Sequence, residues 1–135
     1  MNTTMTLNPL PEYILYPTEN RDAFLALVAE LREEYDPQDP SEFDIFEQMI
    51  ISSWLRKRYE KVRSNLYDSR RQLLQNEPNS PRIAIITDSI QRFQLEVDRQ
   101  KKYLSGLRRA LRKVRSGEQN EANSSDFEHE LAPAA

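Results

Sequence analysis

The sequence predicts an all-α fold: a long antiparallel helical hairpin, coiled-coil-like, with a short N-terminal helix packed at its open end. Three observations carry this prediction. No Gly or Pro interrupts the chain between Pro40 and Pro78, room for one helix of roughly 55 Å at ~1.5 Å per residue. Past a Pro/Asn/Ser turn at 77–81, apolar residues recur at alternating steps of three and four, the mark of a coiled-coil seam. Only 2 of 135 residues are Gly, which argues against a sheet fold with many tight turns and against a Gly-rich phosphate loop.

Residues 1–17 read as an extended lead, because Pro9, Pro11 and Pro17 exclude a helix. The run Tyr13-Ile14-Leu15-Tyr16 is expected to lie against the body. The single helical domain spans 18–116. Helix 1, about 19–35, has Thr18 or Asn20 as its cap and Phe24, Leu27, Val28, Leu31 and Tyr35 on one face. Asp36-Pro37 ends it. Helix 2, about 40–76, opens with Asp39 as cap, Pro40 at the first position and Glu42 at the third.

Helix 2 carries one stripe through Ile51, Leu55, Tyr59, Val62, Leu66 and Leu73, and a second through Phe43, Phe46, Ile50 and Trp54. Two apolar faces on its first half call for two neighbours, helix 3 and helix 1. Ser80 and Pro81 start helix 3, about 81–116. Its seam is Ile83, Ile86, Ile90, Phe93, Val97, Leu104, Leu107, Leu111 and Val114, with Gln100 in the one polar slot. A single polar seam residue commonly fixes register. Gly106 is tolerated at a cost of about 1 kcal/mol. The acidic tail 117–135 is expected to be disordered.

Folding about residue 79 pairs residue i with roughly residue 158 − i. The charge layout suits this. Residues 1–50 hold 2 basic and 11 acidic side chains, residues 51–116 hold 17 and 6, and residues 117–135 hold 5 acidic and no basic ones. The hairpin sets the basic end of helix 3 (Arg108, Arg109, Arg112, Lys113, Arg115) beside the acidic start of helix 2 (Glu42, Asp44, Glu47), which favours the antiparallel register. Arg56, Lys57, Arg58, Lys61, Arg63, Arg99, Lys101 and Lys102 sit nearer the middle, without obvious acidic neighbours. They are the candidate nucleic-acid contacts. The acidic tail is a competitor for that basic face.

Little enzymatic chemistry is available. The chain has no Cys, which removes disulfides, thiolate metal sites and a cysteine nucleophile. His129 is the only His and lies in the tail, so neither a Ser-His-Asp triad nor a His-based metal site is expected. No catalytic, metal-binding or cofactor-binding residue is assigned, and neither a cofactor nor a small-molecule substrate is expected. There is no Lys or Arg before Arg21 and no apolar run of membrane-spanning length. A cytoplasmic protein that makes no membrane contact is therefore the expectation.

Residues 15–60 carry a further pattern: Leu15 and Pro17, then Phe24, Leu31 and Glu34, then Pro37 and Pro40, then Glu42, Glu47, Ile50, Trp54, Leu55, Arg56 and Arg58. In these residues the chain resembles a family of uncharacterised bacterial helical proteins of unknown function. The resemblance implies a helical fold and no catalytic residues.

The expected function is therefore a non-enzymatic helical interaction or scaffold module. It would act through coiled-coil-like self-association, as a homo-oligomer with a dimer favoured, or through a protein partner. Trp54, Leu66, Leu73, Ile86, Ile90 and Phe93 are the candidate contacts. The alternative is a nucleic-acid-binding protein using the basic middle of the hairpin.

Overall fold

The computed structural model describes residues 10–119 of the chain. Among the described residues there are three α-helices and no strand: α1 (Arg21–Tyr35), α2 (Pro40–Asn76) and α3 (Arg82–Gln119), preceded by one 3-10 turn at Glu12–Ile14. The two long helices fold back on each other and α1 lies against the first half of α2, as the two-sided apolar pattern predicts.

The helix ends follow local chemistry. Of the two candidate caps for α1, Asn20 is used: its side chain accepts the Ala23 N–H at 3.0 Å. Asp36 ends α1 in the left-handed region, at φ 45°, and donates its N–H to the Arg32 carbonyl at 2.8 Å. Asp is among the few residues that tolerate this conformation, and Pro37 then bars further helix. Asp39 caps α2 by accepting the Glu42 N–H at 3.0 Å. The Glu42 carboxylate reaches back one residue further than a standard capping box, accepting the Gln38 N–H at 3.1 Å.

The Ser80 hydroxyl accepts the Arg82 N–H, and Pro81 sits in the turn just before α3. At the other end, α3 outruns its expected stop at 116 and continues through Gly117 to Gln119. Gly117 keeps a negative φ, so it costs helix stability without terminating the helix. The rest of the acidic tail, where disorder was expected, lies outside the described residues.

The core is long and thin and falls into three clusters. At the open end Phe24, Leu27, Val28 and Leu31 of α1 bury against Phe46, Ile50 and Trp54 of α2. The Phe24 and Trp54 rings meet edge-to-face, centroids 5.3 Å apart. Next, Met49 packs among Leu104, Leu107 and Leu111 of α3. Toward the turn only Leu73, Ile86 and Ile90 are buried, with Leu66 and Ile83 partly so.

Polar pairs set the register. Gln100, the polar slot in the α3 seam, meets the buried Ser52, whose hydroxyl donates to its side-chain oxygen at 2.8 Å. Along one edge of the hairpin Arg70 donates to Thr87, Arg63 to Gln94 and Arg115 to Glu42. Each step of seven along α2 is met by a step of seven, or a multiple of it, along α3. That is the repeat of an antiparallel coiled coil. These rungs fall within one residue of the pairing expected from symmetric folding about residue 79.

Phe24 is fully buried where the open end is thickest. Phe24→Ala should destabilise the fold by about 3–5 kcal/mol, whereas Leu95→Ala, at an exposed site, should stay within about 0.5 kcal/mol. Urea denaturation followed by circular dichroism measures both.

Candidate functional site

The candidate contacts divide sharply by what α1 and its lead cover. Arg58 was expected to face solvent. Instead its guanidinium grips both carboxylate oxygens of Glu19, at 2.7 and 2.8 Å, and donates to the Ile14 carbonyl. It also stacks 3.8 Å over the Tyr16 ring. Only 11% of its side chain is exposed. Arg58 is therefore removed from the nucleic-acid contacts. It clamps the lead to α2, an arrangement that a partner 39 residues away in sequence creates.

Glu19 is the hub of this clasp. It accepts the Trp54 indole N–H at 3.1 Å and the Tyr16 backbone N–H at 2.9 Å. The Arg58 guanidinium holds its carboxyl well below the usual range, at about 2, against the upward pull of burial; the two N–H donors add to the lowering. Tyr13-Ile14-Leu15-Tyr16 thus lies on the body only in part: Ile14 and Leu15 pack against the open-end core, while the Tyr13 and Tyr16 rings remain largely exposed.

The remaining basic candidates stay at the surface. Arg56 bonds Glu60 one turn on, and Arg99 bonds Glu96. Lys57, Lys61, Lys101 and Lys102 are exposed and make no ion pair among the described residues. Arg63 bridges to α3, but onto the neutral Gln94. Arg70 does the same onto Thr87. Arg56, Arg63 and Arg70 are seven apart, so they form one row along a helix. That spacing was visible in the sequence; that the row borders α3 was not.

The basic end of α3 is engaged at the open end. Arg115 pairs with the buried Glu42 and donates to the Tyr35 and Asp36 carbonyls. Arg108 donates to the Tyr35 hydroxyl at 2.7 Å. Arg115–Glu42 realises the expected pairing of the end of α3 with the start of α2, and α1 supplies further acceptors.

The apolar candidates need a larger correction. Trp54, Leu73, Ile86 and Ile90 are buried within the chain, and Leu66 and Phe93 are half-buried. Phe93 packs against Tyr59 across the seam. The heptad that suggested a partner is filled by the hairpin's own second helix. The apolar groups left outside are different ones: Leu74, Ile85 and Leu95, exposed by 52, 65 and 62%, with Tyr67 and Tyr103 also outside. They lie off the seam, so a search for heptads passes over them.

Among the described residues no group of three or more His, Cys, Asp or Glu is placed to hold a metal ion, and no helix is long and apolar enough to cross a membrane. His129 lies outside the described residues. Comparison of the chain with protein-family models, curated proteins and solved structures finds no match.

The clasp makes the fold acid-sensitive in a defined window. Glu19 has a folded-state pKa below its ordinary value, so its contribution is complete above about 4.5 and is lost as pH falls toward about 2. Glu19→Gln should cost about 2 kcal/mol at neutral pH and flatten stability across that window. Fluorescence of Trp54, the only Trp, reads both effects.

Proposed function

We propose that this protein is a non-enzymatic helical interaction module whose hairpin arm, the part beyond α1, engages a protein partner or a second copy of itself. The observation that supports this reading is the contrast between the two ends. At the open end, α1 and the lead cover α2 and the apolar side chains are buried. On the arm the interior is one row of side chains, while Leu74, Ile85 and Leu95 stand in solvent. Scattered exposed apolar residues are ordinary. Three large aliphatic side chains on a short two-helix arm are an adhesive surface on an element with little core of its own.

A dimer through the arm would lengthen the thin core by adding a third and fourth helix, the usual route by which a two-helix seam becomes a bundle. Concentration-dependent light scattering should show dimer formation. Ile85→Glu with Leu95→Glu should return the protein to monomer with unchanged helicity. A strict monomer at high concentration would sink the self-association branch and leave a different protein as the partner.

A further inference from the structure

Along the edge that carries the register-setting rungs the pattern breaks twice: at Met49, opposite an Arg108 that donates instead to the Tyr35 hydroxyl of α1, and at Arg56. Arg70 stands opposite Thr87, Arg63 opposite Gln94 and Glu42 opposite Arg115, each a donor matched to an acceptor. The same seven-residue steps place Arg56 opposite Lys101. At that register position a cation faces a cation, an arrangement that costs stability. Lys101 is exposed and makes no ion pair among the described residues.

The rungs on the turn side give the charge no relief, because Gln94 and Thr87 are neutral. Arg56, Arg63, Arg70 and Lys101 therefore form a row of four cations along one edge. Among the described residues Glu60, bonded to Arg56 through Nε, is the only carboxylate within ion-pair distance of any of them. An exposed aromatic ring lies within this row: Tyr67 follows Arg63 by four residues and precedes Arg70 by three, and Arg70 stands 5.3 Å from its ring centroid.

We infer that this edge is a binding site for single-stranded nucleic acid, with Arg56, Arg63, Arg70 and Lys101 contacting phosphates and Tyr67 stacking on a base. Guanidinium groups match phosphate geometry and stay charged at any physiological pH. The three arginines span about 21 Å along the helix, a straight track for an extended strand. The row lies on the flank of a helix pair instead of on an element that enters a duplex groove, and a ring among cations is the stacking-plus-charge combination used on unpaired bases. Leu74 of the apolar arm surface stands one turn from Arg70, but the arm reading is tested at Ile85 and Leu95 of α3 and this site at its cations, so either reading can fail without the other.

The test is fluorescence anisotropy of a labelled oligothymidylate of about 16 nucleotides, titrated with the full chain at several salt concentrations. Four phosphate contacts predict a log–log salt slope near −3, at about −0.7 per contact on a single strand. The triple substitution Arg56→Gln, Arg63→Gln, Arg70→Gln should bring the slope close to −1. Tyr67→Ala should weaken binding about tenfold with little change in slope.

Lys101→Gln touches no interhelical bond and serves if the triple variant loses helicity: it alone should reduce the slope by about 0.7. Arg92→Gln, at an exposed position of α3 off this edge, should leave the slope unchanged. The inference is overturned by an absence of binding at low salt, by an unaltered slope in Lys101→Gln, or by an equal loss in Arg92→Gln. It is equally overturned if a duplex of the same length, polyphosphate or polyglutamate binds as tightly as the single strand.

Discussion

Everything in this molecule hangs on the seam between α2 and α3. Neither helix could persist alone with so few apolar contacts, because an isolated helix in water gains little beyond its own backbone bonds. Paired, they bury Val97, Leu104, Leu107 and Leu111 on one side and Met49 and Leu73 on the other. The turn at 77–81 holds the partners in one chain, so docking carries only the entropy of closing a short loop. The polar Ser52–Gln100 pair in the seam then disfavours slipped registers, which would leave the buried Ser52 hydroxyl without a partner.

The seam also divides the molecule. Its open end is a small three-helix assembly. There α1 supplies one apolar face, Glu19 ties Trp54 and Arg58 to the lead, and Arg115 ties the far end of α3 to the α1–α2 connection. The arm has none of this. Its interior is a single line of side chains, the arginines that bridge it, Arg63 and Arg70, bond to neutral acceptors, and its aliphatic groups reach solvent. One end is thus built for stability, and the arm carries the exposed apolar surface, while the row of cations runs from Arg56, beside the clasp, along the arm to Arg70. The proposed activities lie mainly on the arm for that reason.

Much of the fold was legible because its signals are local. Asn20, Asp39 and Ser80 act as caps within three residues of themselves, and Pro37, Pro40 and Pro81 limit helices through their own ring geometry. α3 runs past the end expected near 116 because Gly117 only weakens a helix without stopping it. The candidate site was less legible. Trp54, Leu73, Ile86 and Ile90 look the same in a sequence whether a second chain or the same chain fills the facing groove. Arg58 looks like its neighbour Lys57 until Glu19 is brought up to it.

By itself, then, the sequence determined the helices, the turn, the antiparallel pairing and the two-faced start of α2. Those follow from periodicity and from backbone preferences that act over a few residues. Only the tertiary structure decided which apolar residues remain outside and which cations keep their charge unanswered. Both depend on groups tens of residues away: Glu19 for Arg58, Glu42 for Arg115, Gln94 for Arg63. An ion pair or a buried contact belongs to two positions at once, and one position's neighbours along the chain do not reveal the other.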